Sequence, residues 1–109
     1  MICRLWHGWT TPENADAYER IVRGEVIPGI EARRIPGFRH IDLLRQSFDH
    51  EVLFVTLMWF DTIESVQTFM GADYTRSHVP PVAKAVLARY DERAIHFEVI
   101  ERRSQTVSD

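Results

Sequence analysis

Apolar and polar positions alternate in four runs of the chain, and this spacing predicts four β-strands. The runs are residues 2–9 (ICRLWHGW), 38–45 (FRHIDLLR), 51–60 (EVLFVTLMWF) and 92–100 (ERAIHFEVI). Successive residues of a strand point to opposite faces of the sheet. The first and third runs carry large apolar residues at both odd and even positions. Both faces of the sheet should therefore be covered, and the third strand should lie near the centre of the sheet.

Helical spacing of apolar residues fills the intervals between the strands. Residues 10–13 (TTPE) predict a helix start, and this first helix should kink or stop at Pro28 because proline lacks a backbone donor. Residues 61–64 (DTIE) form a capping box for a second helix that should end at Gly71. Two prolines then precede a third short helix, predicted over residues 82–90.

The resulting order is strand, helix, strand, strand, helix, strand. It predicts an α+β fold, the ferredoxin-like split βαβ sandwich, with an antiparallel sheet and helices on one face. One domain should span residues 1–101, followed by a polar tail at 102–109. We expect the uncovered face to include Trp6, and two copies packed face to face would cover it.

Composition narrows the class of protein. The 109 residues are 45% hydrophobic and 27% charged, with a net charge of −3, which argues against nucleic-acid binding. No apolar run reaches the ~20 residues of a membrane span, and no signal peptide is visible. Cys3 is the single cysteine, which fits a reducing compartment, so a cytoplasmic location is expected. No zinc-protease, CxxC, phosphate-loop or dinucleotide motif occurs, and no metal site is predicted.

The chain resembles the antibiotic biosynthesis monooxygenase (ABM) domain family, which are dimeric α+β barrels. The resemblance extends from Met1 to about Glu101. The matching features are the opening MICRLWHGWT, GFR after a proline turn, the strand VLFVTLMWF followed by DTIESVQTFM, a histidine near the end of the second helical region, and the closing AIHFEVI. It implies a homodimer with a pocket between sheet and helices in each subunit. Activities in the family include oxygenation of aromatic polyketides or quinols without a cofactor, and heme degradation; other members have no known role.

His78 is the first candidate for a catalytic residue. It follows Trp59 by nineteen residues, and the heme-degrading branch of the family carries a heme-ligating histidine at about this spacing from a strand-end tryptophan. An imidazole at this position could act as a base near neutral pH or bind iron. The alternative is a surface histidine that helps to end a helix before Pro80.

His7 is the second candidate. It shares a strand face with Leu5 and would point into the pocket if that face meets the helices. The heme-degrading branch has asparagine at the matching position and a tryptophan in the second helix, where this chain has Thr68 or Phe69. Two of the three signature residues of that branch are therefore absent. The alternative for His7 is a buried histidine bonded to the backbone.

Aromatic residues supply the candidates for substrate binding. Trp59 and Phe69 could stack on a planar substrate, and Tyr74 could donate a hydrogen bond to a substrate oxygen. The alternative for Trp59 and Phe69 is a place in the core, the commoner role of an aromatic residue at such spacing, and the alternative for Tyr74 is a surface ring. Trp6 and His96 are expected on the face that meets the partner subunit.

Three hypotheses follow for function. The first is a homodimeric, cofactor-independent monooxygenase that acts on a small aromatic or quinol-type substrate. The second is a heme-binding or heme-degrading protein with His78 as a ligand. The third is a non-catalytic, ligand-binding dimer, which a pocket filled by the protein's own side chains would favour.

Overall fold

Five strands form one antiparallel sheet in the computed structural model of the protein, which describes residues 1–107. They are β1 (Ile2–Thr10), β2 (Phe38–Ser47), β3 (Val52–Phe60), β4 (Arg89–Tyr90) and β5 (Ile95–Glu98). The strand order is β2-β3-β1-β4, and β5 pairs with the first half of β1. The predicted ferredoxin-like fold is confirmed, with β3 inside the sheet. The last strand, predicted over residues 92–100, is shorter. β5 pairs with the first half of β1, and the separate short strand β4 pairs with its second half.

Helical segments connect the strands on one side of the sheet. They are α1 (Pro12–Ile21), a π-helical turn (Val22–Val26), α2 (Ile27–Ala32), α3 (Ile63–Met70) and α4 (Pro81–Lys84). The Thr11 side chain caps α1 by accepting from the amide of Asn14. Thr62 caps α3 instead of the predicted Asp61, because the Asp61 carboxylate binds Arg39, with the Arg39 Nε at 2.9 Å. None of the helices formed by residues 1–107 has the length and hydropathy needed to cross a membrane.

The π-helical turn explains why Pro28 does not end the first helix. Proline offers no amide to the carbonyl of Gly24, and its ring would crowd that carbonyl in a regular α-helix. The helical turn is one residue longer at this point, because the amide of Ile27 donates to the carbonyl of Val22, five residues earlier. Of the kink or stop predicted at Pro28, the stop is wrong, since helical structure continues through α2 to Ala32, and the irregularity is the π-helical turn just before Pro28.

Even-numbered residues of β1 and β3 face the helices. Trp6, Phe54, Met58 and Phe60 are all buried there, whereas odd-numbered residues of both strands are half-exposed. The expectation that Trp6 faces a partner subunit is wrong, and so is that for His96, which pairs with Arg4 across β1 and β5 on the helix side. Both parities are apolar in these strands, so hydrophobic alternation alone does not choose the covered face.

The chain after α3 is less regular than predicted. The third helix, predicted over residues 82–90, is the single turn α4, which ends at Lys84. The amide of Ala88 donates to the carbonyl of Trp9 at 2.8 Å, so strand pairing with β1 replaces the rest of that helix. Residues 101–107 form neither helix nor strand, and residues 108–109 of the predicted tail lie outside the described part of the chain.

Candidate functional site

An apolar cavity of about 50 Å³ lies between the sheet and the helices. It has room for a few water molecules, since one water needs roughly 10–15 Å³ on the same measure. Its wall is formed by the strands β1, β2 and β3, by the helical segments from α1 to α4, and by the loop around His78. The lining residues are Arg4, Trp6, Tyr18, Val22, Val26, Ile27, Ile30, Ile41, Thr56, Met58, Phe69, His78, Val79, Pro80 and Ala83.

Trp6 forms the inner wall of this cavity. Its indole N–H donates to the carbonyl oxygen of Asp91 at 2.8 Å, which fixes the ring against the sheet. Gly8 is the next residue on the same face of β1, and a Cβ there would lie 2.6 Å from the Trp6 ring. The glycine therefore gives the indole the space it occupies.

His78 lies at the mouth of the cavity, in the loop between α3 and α4. Its ring packs against Phe69, with the two ring centroids 5.2 Å apart. One side of the imidazole is open to solvent. Partial burial lowers its pKa from 6.5, and the positive charges of Arg33 and Arg4 lower it further. The imidazole is therefore neutral at neutral pH and able to accept a proton.

Phe69, on the last turn of α3, has two guanidinium groups near its ring. Arg4 lies over its ring at 5.6 Å and Arg33 at 5.2 Å. Arg33 also donates to the carbonyl of Phe69 at 2.9 Å, which ties the end of α3 to the segment after α2. Phe69 and His78 are thus the two predicted site residues that the structure brings together at the cavity.

Arg4 is a member of the site that the sequence analysis did not select. Its side chain is only 3% exposed, and it donates to the carbonyls of Tyr74 at 2.5 Å and Arg76 at 2.6 Å. A third contact joins it to His96 Nε2 at 3.0 Å. Burial lowers the pKa of Arg4 to about 10, so it stays protonated at neutral pH. The available signal was a cation in the middle of an apolar strand, at the same parity as Trp6.

His96 takes part in this arrangement as a neutral acceptor. Burial lowers its pKa to about 4, and the neighbouring Arg4 charge acts in the same direction. A neutral imidazole accepts a hydrogen bond at one ring nitrogen, so Nε2 is the acceptor for the Arg4 guanidinium. Tyr74 lies edge-on to His96, with centroids 5.2 Å apart, and is outside the cavity wall.

His7 and Trp59 lie on the opposite face of the sheet from the cavity. His7 Nδ1 is 2.7 Å from the Asp91 carboxylate, and its ring stacks on Trp9. Trp59 packs edge-on to His40. The expectation that both residues point into the pocket is wrong, because they are odd-numbered residues of β1 and β3 and the helices cover the even-numbered side.

The described residues supply no obvious metal centre. No group of three or more histidine, cysteine, aspartate or glutamate side chains within residues 1–107 is placed to hold a metal ion. The cavity chemistry visible in the structure is therefore that of one neutral imidazole, one buried guanidinium and an apolar wall, to which Tyr18 and Thr56 add hydroxyl groups.

No protein-family model matches the sequence, and no curated protein does so either. Solved structures nevertheless share the fold. A Bacillus cereus protein assigned to the antibiotic biosynthesis monooxygenases superposes with a TM-score of 0.64 at 10% identity, over 98% of each chain. One of the same assignment from Nitrosomonas europaea gives 0.63 at 14% identity, over 91% of this chain and 89% of its own.

The heme degrader MhuD from Mycobacterium tuberculosis, solved with two hemes in its active site, is a third structure with this fold. Its TM-score is 0.58 at 18% identity, over 95% of this chain and 100% of its own. At these identities the likeness establishes the fold. The fold predicted through the resemblance to the ABM family is confirmed.

Proposed function

We propose that the protein is a small monooxygenase that uses no bound cofactor and oxidises an aromatic, quinol-type substrate in the cavity between sheet and helices. The observation that carries this proposal is the pairing of His78 with Phe69 at the cavity mouth. A neutral base beside an aromatic ring suits a flat substrate that must lose a hydroxyl proton. The fold shared with proteins assigned to the antibiotic biosynthesis monooxygenases supports the same reaction class.

The substrate itself would supply all the electrons for this reaction. His78 would accept the hydroxyl proton of the quinol, and the electron-rich anion would react with O2. One oxygen atom enters the ring, the other leaves as water, and the ring is oxidised to a hydroxyquinone. One quinol and one O2 therefore give one hydroxyquinone and one water, with no external reductant.

The size of the cavity limits the substrate. An apolar cavity of roughly 150 Å³ binds benzene, so the cavity of about 50 Å³ must widen to admit even one ring. The π-helical turn and α2 contribute four lining residues, and π-helical turns are less regular than α-helix and often lie at functional sites. We propose that this wall moves when a substrate of one or two rings enters.

Substitution of His78 tests the proposed base. His78→Ala should lower the kcat for an accepted quinol by about 100-fold, the usual contribution of a general base. Because the pKa of His78 lies below 6.5, the wild-type rate should be full at pH 7 and fall only in more acidic solution. Oxygen uptake and quinone absorbance measure both effects.

His50→Ala is the matched control, since His50 is exposed in the loop between β2 and β3. It should leave the rate unchanged. Wild-type turnover that survives His78→Ala would remove His78 from the mechanism. Binding of quinols without any oxygen uptake would instead favour a non-catalytic, ligand-binding protein.

We also propose that the protein is a homodimer. The face of the sheet opposite the helices is largely apolar, and no helix or strand of residues 1–107 covers it. Of the residues that follow β5, Arg102 lies over the Trp59 ring at 5.8 Å. The apolar residues of this face are Leu5, Trp9, Leu44, Leu53, Val55, Leu57, Trp59, Ile95 and Phe97, of which Leu44, Ile95 and Phe97 are 46–50% exposed. Three strands of ~30 Å at ~4.8 Å spacing span about 430 Å², which matches the ~300–600 Å² of the largest apolar patch on a monomer, and patches of this size often mark interaction sites. A second copy of the same face would cover it.

Heme is the competing ligand, favoured by the fold shared with MhuD and by the position of His78. The residues present do not fit it, because a cavity of about 50 Å³ is far below the roughly 300–1,000 Å³ of pockets for large ligands. Hemin titrated into the protein should therefore give no Soret shift that depends on His78. A shift in the wild type that His78→Ala abolishes would establish heme binding and contradict this expectation.

A further inference from the structure

The buried charge of Arg4 has no acidic partner among residues 1–107. None of the salt bridges formed within residues 1–107 includes Arg4. A guanidinium carries five N–H donors, and the contacts to Tyr74, Arg76 and His96 use three of them. Two donors are left for another acceptor, and the group that carries them lines the cavity.

Burial of an uncompensated charge is costly in a folded protein. Removing an ion from water costs several kcal/mol, which neutral carbonyl acceptors offset only in part. The titratable groups around the cavity do not supply the missing negative charge. His78 and His96 have lowered pKa values and are neutral, burial raises the pKa of the Tyr18 phenol so that it stays neutral too, and Arg33 is a second cation.

We propose that Arg4 binds an anionic oxygen of the ligand, so that the cavity selects ionised phenols over neutral aromatic molecules. The aromatic ring would lie against Phe69 and Met58, and its oxygen would accept from the free guanidinium donors of Arg4. This inference rests on the proposed function for the class of substrate, and it adds that the substrate is held as its oxyanion. Arg4 stabilises the anion that His78 produces and is not itself the base.

The apolar surroundings strengthen this pairing. In a site shielded from water, a charge-assisted hydrogen bond is worth more than in solution, where both partners are hydrated. An opposite charge within ~4–6 Å lowers the pKa of an acid by about 1–3 units. A phenol bound beside Arg4 should therefore ionise at a lower pH than the same phenol in water.

The test uses 4-nitrophenol, a single-ring probe whose ionised form is yellow, and 4-nitroanisole, its O-methylated analogue that cannot ionise. Bound 4-nitrophenol should titrate about one unit or more below its pKa in water, which corresponds to a ~10-fold preference for the phenolate. At a pH where the free probe is ionised, it should bind about 10-fold more tightly than 4-nitroanisole. Equal affinities, or no saturable binding of the phenolate, would overturn the inference.

Two variants assign the effect to Arg4. Arg4→Met should abolish the preference for the phenolate, and Arg33→Gln should retain it, because Arg33 does not line the cavity. If Arg4→Met does not fold, Arg4→Lys keeps the charge and should keep the preference, and the comparison of the two probes with wild-type protein still decides whether an anion is bound. Loss of the preference in Arg33→Gln would overturn the assignment to Arg4.

The outcome is separable from that of the monooxygenase proposal because neither probe has to react. Preference for the phenolate without turnover of any quinol would leave the anion site standing and remove the proposed activity. Turnover of quinols without a preference for the phenolate would support the proposed activity and overturn the anion site at Arg4.

Discussion

Leu57→Glu should convert the proposed dimer into a monomer. Leu57 lies in the middle of the open face of the sheet, between Leu5 on β1 and Asp42 on β2. In a symmetric dimer the substitution places a carboxylate in the interface from each subunit, and an unpaired buried ion costs several kcal/mol. A loss of about 3 kcal/mol raises the dissociation constant more than 100-fold. Sedimentation velocity over a range of protein concentrations measures the change.

Gln67→Glu is the control for added negative charge. Gln67 is exposed on α3, on the helix side of the molecule, so this variant should remain dimeric. A wild-type protein that sediments as a monomer at all concentrations would contradict the dimer itself. A dimer that persists in Leu57→Glu would move the interface to another surface.

Phe60→Ala should cause the largest loss of stability from a single substitution. Phe60 is fully buried at the end of β3, and its ring centroid lies 5.4 Å from that of Phe38 and 6.1 Å from that of Phe69. Truncation of a core phenylalanine costs about 3–5 kcal/mol, because apolar burial is lost and a cavity remains. Since domains have only about 5–15 kcal/mol of stability, the midpoint of urea unfolding should fall sharply. Measurements need one fixed protein concentration, because dimerisation contributes to apparent stability.

The same truncation at Phe48 provides the comparison. Phe48 lies in the loop between β2 and β3 and is 49% exposed, so Phe48→Ala should change the free energy of unfolding by less than about 1 kcal/mol. Similar losses of unfolding free energy in the two variants would show that the packing of Phe60 against Phe38 and Phe69 does not hold the sheet and α3 together.

The fold was predictable because its signals are local and repeated. Turn residues separate the strands, a threonine caps α1 as predicted, α3 begins one residue from its predicted cap, and the order of elements leaves few topologies. The end of the first helix was not predictable from Pro28 alone. Proline excludes a regular turn, but the chain had two responses available, and packing of Ile30 against the core favours the π-helical turn over a stop.

The candidate site was predictable only in part, because it depends on which face of the sheet the helices cover. His78 and Phe69 lie outside the strands, so their positions did not depend on that choice, and both line the cavity. His7 and Trp59 did depend on it. A charged residue in a strand ordinarily indicates the solvent side, and Arg4 reverses this rule because backbone carbonyls and a neutral histidine surround its guanidinium.

The π-helical turn at Val22–Val26 is, in terms of chain length, a one-residue insertion. An α-helix turns by about 100° per residue, and the wider turn takes up one extra residue while Ile27 and Ile30 keep their place in the cavity wall. Deleting a single residue there, such as the exposed Gly24, would remove the wide turn and set the ring of Pro28 against the carbonyl four residues before it. The extra residue therefore lets one helical segment carry both a proline and two cavity-lining isoleucines.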